Sequence, residues 1–119
     1  MSSVQTKPLI SVIIPVYNCE KTIAVAIQSM LDQTYPNLEI LVIDDKSTDG
    51  TRSIVKNISE RESHVRLIDG IDDPYRFDTK LNRNVNAGYS ARNIGLANAR
   101  GEFITFQDAD DASLLNRIE

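Results

Sequence analysis

A chain of 119 residues is one domain at most, long enough to bury roughly two-thirds of its unfolded surface. Its 41% apolar and 25% charged content is that of an ordinary globular protein, and a net charge of −4 with no basic cluster excludes a nucleic-acid backbone as partner. The lone Cys19 permits no intramolecular disulfide, residues 1–7 lack the apolar core of a signal peptide, and no apolar run approaches the roughly 20 residues that span a bilayer. A cytoplasmic protein that does not span the membrane is expected.

Leu9 to Val16 is nearly continuous and β-branched, the pattern of a strand covered on both faces. Pro15 has no N–H to give a ladder and should mark the strand's end. Tyr17 and Asn18 open a loop. Ile23, Ile27, Met30 and Leu31 then form one stripe of a helix that starts near Lys21 and is stopped by Thr34 to Asn37. The next apolar run, Leu38 to Ile43, is interrupted only by Glu39 and ends in Asp44 and Asp45. Lys46 to Gly50 is dense in turn and cap residues, and a second helix follows from about Thr51 with Ile54 and Ile58 on one face. Val65 to Ile68 is a short third strand, and Asp69 to Val85 reads as a long irregular loop. A third helix should begin near Gly88 or Tyr89, pack through Ala91, Ile94 and Ala97, and end at Arg100 with Gly101 as its C-terminal cap. Phe103, Ile104 and Phe106 make a last apolar run of the kind that fills a buried strand. Asp108, Asp110 and Asp111 follow it, ahead of a helix starting near Ser113.

Alternation of this kind implies an α/β fold: a Rossmann-like, mostly parallel sheet with right-handed crossovers and helices on both faces. Three strands then end in candidate ligand groups on one edge, the edge where open parallel sheets bind ligands. The first turn lacks the glycine-rich loop of dinucleotide folds and P-loops, so a metal must take over the charge of any phosphate. Three carboxylates crowded after the last strand repel one another unless a cation sits among them. An Asp-x-Asp suits a hard divalent cation completed by water and phosphate; the competing role is to cap the helix near Ser113. Asp45 can accept hydrogen bonds from a nucleoside. Its competing role, with Asp44, is to cap the second helix, for which Ser47 and Asp49 are better placed. Tyr17 is either a stacking platform for a base or an ordinary loop aromatic.

These segments also resemble a known family. Ser11 to Asn18, Gln33 to Tyr35, Glu39-Ile40, Asp44 to Thr51, Asn86 to Gly88, Ala91 to Asn93, Gly101-Glu102 and Asp108 to Asp111 look like the amino-terminal half of a family 2 glycosyltransferase of the GT-A fold. The resemblance runs from about Leu9 to Asp111, with the motifs in family order. It implies transfer of a sugar from a nucleotide-diphosphate donor, here expected to be a UDP-sugar, to a glycan, lipid or small-molecule acceptor, with Mn2+ or Mg2+ on the diphosphate. It implies that Pro15, Tyr17 and Asp45 line the nucleoside pocket, with Asp45 on the base. Asp108 then faces the ribose or sugar, and Asp110 ligates the metal. Gly88 and Arg92 fall in the donor-site signature, although Arg92 serves equally as a salt-bridge partner for one of the acids.

Two departures bear on this resemblance. The segment from Asp69 to Val85 is longer than the family's usual link. No general base is assignable, and the base and acceptor elements are expected beyond Glu119. Residues 1–119 therefore read as a single, incomplete domain holding the donor and metal half, inactive alone, whose open last strand invites self-association. The alternative is a non-catalytic nucleotide-sugar-binding module of a larger assembly. A phosphatase or receiver domain is set aside, because its acids follow the first strand.

Overall fold

A computed structural model of the protein describes residues 7–70, 77–78, 83–84 and 89–110. In chain order the elements are β1 (Ile10–Val16), α1 (Ile23–Leu31), β2 (Leu38–Asp44), α2 (Thr51–Arg61), β3 (Val65–Asp69), β4 (Phe77–Asp78), β5 (Arg83–Asn84), α3 (Tyr89–Asn98) and β6 (Phe103–Phe106). Four strands form one parallel sheet in the order β3-β2-β1-β6, with Val12 opposite Ile40 and Thr105. The pair β4 and β5 is a separate antiparallel hairpin.

Strand alternation divides the core in two. Val12, Ile14, Val16, Ile40 and Val42 face one way and meet Ile23, Ile27 and Met30 of α1 and Val55 and Ile58 of α2. Ile13, Leu41 and Ile43 face the other way, against Ala91 of α3, flanked by Ile68 and Ile94. A Cβ on Gly95 would stand 2.5 Å from Ile13 Cγ2, so α3 lies close on the sheet only because that position is glycine. Each fully buried Val, Leu or Ile contributes about 1.5–3 kcal/mol, which makes the β1–β2 centre the main source of stability. The helical stripe and both central strands therefore stand as the sequence implies. Among the described residues no helix is long and apolar enough to cross a membrane.

Four expectations need correction. The segment from Asp69 to Val85 is not wholly irregular, since it carries the hairpin of β4 and β5. The third helix ends at Asn98, and Ala97 is exposed although Ala91 is buried and Ile94 half-buried. Gly101 is not a left-handed cap: a Cβ there would lie 2.7 Å from Leu9 O and Ser11 N, so β1 passing alongside is what requires glycine. β6 is not a buried strand either. The strand order puts it at the sheet's edge, and Phe103 (58%), Ile104 and Phe106 are exposed. The helix expected near Ser113, the Asn86 to Gly88 segment and Asp111 lie outside the described residues.

Candidate functional site

Because all four strands run the same way, their carboxyl ends share one edge. Asp44 and Asp45 leave β2 there, Pro15 to Tyr17 leave β1, and Asp108 and Asp110 follow β6. Since β1 separates β2 from β6, the two acidic groups leave from strands about 10 Å apart, with Tyr17 on the strand between them.

Pro15 explains how the last strand is released. Gln107 N donates to Ile13 O at 3.0 Å, which is half of the next parallel rung. The other half needs an N–H at residue 15 for the Gln107 carbonyl, and proline has none. The β1–β6 ladder therefore stops at Ile13 opposite Phe106. Beyond it Ala109 is buried against the α1–α2 core while Asp108 and Asp110 on either side are exposed. The buried alanine pins the turn, and the flanking carboxylates face solvent.

Asp45 is 2% exposed, with its N–H donated to Val16 O at 2.8 Å. Gly70 packs beneath it: its N–H donates to Asp44 O at 2.7 Å, and a Cβ there would stand 3.1 Å from Asp45 Oδ1. Asp44 is also 2% exposed, and its Oδ1 has no hydrogen-bond partner among the described residues. Capping of α2 falls to Asp49, whose Oδ1 accepts from Thr51 N at 2.9 Å and Thr51 Oγ1 at 2.5 Å. Although desolvation opposes it, those bonds and the Glu20 N–H hold the Asp49 carboxyl below its usual range. Ser47, the other expected cap, instead accepts from Asn18 N. Tyr17 is 44% exposed, a ring facing solvent at the middle strand.

Beside the acids, Arg52 Nε and Nη2 donate to the two Asp69 oxygens at 2.8 and 3.1 Å. That pairing lowers the Asp69 carboxyl and raises Arg52. Arg92 is exposed on α3, with no ion pair among the described residues, and Gly88 lies outside them.

The opposite edge holds a carboxylate whose purpose the sequence does not reveal. Glu39 Oε2 accepts from Ser11 Oγ at 2.6 Å and Arg100 N at 2.7 Å, and Oε1 faces Arg66 Nη1 at 3.4 Å. Burial would raise the Glu39 carboxyl, but Ser11, the Arg100 N–H and the Arg66 charge together hold it below its ordinary value. His64 is at this edge too, its Nδ1 3.0 Å from Leu38 O.

A parallel α/β domain is of the class that binds its ligands in the crevice outside the carboxyl ends of its strands, which here is the acidic edge. Residues 11–119 match the model of Glycosyl transferase family 2, and the chain belongs to that family. It is 42% identical over 112 residues to an uncharacterized glycosyltransferase of Haemophilus influenzae, covering 94% of this chain and 40% of that protein. To the Escherichia coli UDP-Glc:alpha-D-GlcNAc-diphosphoundecaprenol beta-1,3-glucosyltransferase WfgD it is 40% identical, covering 93% and 38%. Among solved structures, S. aureus TarS 1-349 in complex with UDP is 32% identical with a TM-score of 0.71, covering 90% of this chain and 29% of that one. The mannosyltransferase PcManGT from Pyrobaculum calidifontis, in complex with GDP-Man and Mn2+, is 30% identical with a TM-score of 0.70, over 90% and 29%. The fold is thus GT-A, and the chain spans about two-fifths of the length of these curated relatives.

Proposed function

We propose that this chain is the donor-binding part of a glycosyltransferase that moves a sugar from a UDP-sugar to an acceptor with the help of a divalent cation. The observation that carries it is the single acidic edge: Asp45 at β2, Tyr17 at β1, Asp108 and Asp110 after β6. On this reading Asp45 accepts from the base, Pro15 and Tyr17 border the nucleoside, and Asp108 faces the ribose or sugar. Gly88 and Arg92 complete the donor side.

The residues fit a hard cation. Asp108 and Asp110 offer exposed carboxylate oxygens, although among the described residues no group of three or more His, Cys, Asp or Glu side chains could by itself hold a metal ion. An ion held by Asp110 would therefore have to be completed by diphosphate oxygens and water. When bound, the ion offsets the negative charge that builds on the leaving diphosphate. The chain's own part is to orient: a buried Asp45 fixes the nucleoside, and Ala109 fixes the turn that carries the acids.

We assign no general base. Glu39 and His64 are engaged at the opposite edge, so sustained transfer by this chain alone is not expected. A non-catalytic nucleotide-sugar-binding module is the second reading, favoured by that same lack among the described residues. Acceptor-dependent release of UDP from UDP-glucose or UDP-GlcNAc separates the two. The exposed Phe103, Ile104 and Phe106 on edge strand β6 also support self-association, which light scattering across a dilution series tests.

The primary test is calorimetry of UDP with Mn2+ or with EDTA. Binding should be at least tenfold tighter, about 1.4 kcal/mol, in Mn2+, and Asp110→Ala should erase that difference. Equal affinity in Mn2+ and EDTA refutes the metal assignment.

A further inference from the structure

The two loops at the site edge are joined by more than chain connectivity. Cys19 N donates to Thr51 Oγ1 at 2.9 Å, Glu20 N to Asp49 Oδ2 at 3.3 Å, and Gly50 N to Glu20 Oε2 at 2.6 Å. Asn18 is the centre of this mesh. Its N–H donates to Ser47 Oγ at 2.9 Å, and its Oδ1 accepts from Thr48 N at 2.7 Å and Asp49 N at 3.3 Å. Its Nδ2 donates to Thr48 Oγ1 at 3.2 Å.

The backbone is bent to make this possible. Asn18 has φ 51° and Lys46 has φ 63°, both left-handed. Asparagine tolerates that region, and its amide offers an acceptor and a donor together. Glycine allows the turn but offers neither group. Aspartate keeps the acceptor for the two main-chain N–H groups and loses only the donor.

Asn18 adjoins Tyr17, and its partners Ser47, Thr48 and Asp49 begin two residues after Asp45. One side chain therefore ties the loop carrying the ring to the loop carrying the buried acid. We propose that Asn18 is a positioning residue that fixes Tyr17 relative to Asp45 and thereby sets the nucleobase selectivity of the pocket. The inference rests on the nucleoside-pocket reading given above. Asn18 itself touches no ligand in this role; it acts through Asp45.

Calorimetry with UDP and CDP in Mn2+ tests it on the whole chain, with Asn18→Gly, Asn18→Asp, Asp45→Asn and the double variant Asn18→Gly/Asp45→Asn. Chemical unfolding of each variant registers any loss of fold. Asn18→Gly should bind UDP about tenfold more weakly, because loops that are no longer held together must be ordered when the ligand binds, with the UDP-to-CDP preference falling toward one. Asn18→Asp should restore most of both. The double variant should be no more than about twofold weaker than Asp45→Asn, because coupled residues are not additive. Additive losses would make Asn18 merely structural and overturn the proposal. So would wild-type selectivity in Asn18→Gly alongside weakened binding in Asp45→Asn. If Asp45→Asn keeps both affinity and selectivity, the nucleoside pocket itself is wrong, and the proposed role of Asn18 fails with it.

Discussion

The two edges of the sheet use the same chemical group for opposite ends. At the amino edge, Glu39 is buried and takes hydrogen bonds from Ser11 and Arg100 beside the Arg66 charge. At the carboxyl edge, Asp44 is equally buried but its Oδ1 has no partner among the described residues, while Asp108 and Asp110 stand in solvent. A carboxylate whose donors all come from its own chain holds the fold together. One whose bonding capacity is left open calls for an explanation, and the proposed donor site supplies one. The backbone divides the same way: both non-glycine residues at positive φ among the described ones, Asn18 and Lys46, lie at the carboxyl edge.

The largest expected effect is at the amino edge. Glu39→Ala removes the acceptor of Ser11 Oγ and Arg100 N and takes the charge partner from Arg66, which keeps its bond to Asn98 O. A buried donor stripped of its partner costs about 1–3 kcal/mol, so urea unfolding should show a loss of about 3 kcal/mol. The sign with pH follows from the lowered carboxyl. Glu39 contributes stability that is fully present above its ordinary value of 4.5 and disappears as pH falls through the lower folded value. Wild-type stability should therefore decline as pH falls from 4.5 through that lower value, and Glu39→Ala should decline less over the same range. Parallel acid limbs would mean that Glu39 is no pin.

Next in size is Asp45→Asn, the counterpart at the other edge. A charge-assisted bond to the base is worth about 1.5–3 kcal/mol, and calorimetry should show UDP binding weakened by that amount, with poorer discrimination against cytidine nucleotides. Glu39→Ala, by contrast, should leave the UDP-to-CDP preference of the remaining folded protein unchanged. If both variants shift selectivity alike, the division between the edges is false.

Much of this division is legible in the sequence, and the rest is hidden for identifiable reasons. The Ile23, Ile27 and Met30 stripe, the apolar runs of β1 and β2, and the acids at strand ends are local patterns with a fixed period, and they survive folding unchanged. Glu39 looks like an interruption because its donors Ser11 and Arg100 lie 28 and 61 residues away. Phe103 and Phe106 look buried because composition does not say which strand is outermost; the order β3-β2-β1-β6 does. Gly101 looks like a helix cap because its real constraint, the β1 backbone beside it, comes from the far end of the chain. The Asn18 mesh is hidden in the same manner: its short polar residues read as two separate turns until the parallel strands set the turns side by side.

The smallest predicted effect concerns backbone strain at the site edge. Lys46 sits at φ 63°, where a side chain with a Cβ crowds the following carbonyl at a cost of roughly 1–2 kcal/mol. Glycine occupies that region freely, but it also gives the unfolded chain more freedom, an opposing contribution of roughly 0.5–1 kcal/mol. The relief is the larger of the two. Lys46→Gly should therefore stabilise the fold by about 0.5–1 kcal/mol, a rise of a few degrees in Tm for a domain of about this size. The lysine charge also helps to lower Asp69, but the stronger partner there is Arg52, and the pair is exposed, so little stability goes with it. The same change frees the residue that follows Asp45, so UDP affinity should fall while Tm rises. Differential scanning calorimetry paired with UDP titration reads both. A fall in Tm would show that Lys46 is held by interactions worth more than its strain. A rise in Tm with unchanged affinity would show that the rigidity of this loop is not what positions Asp45.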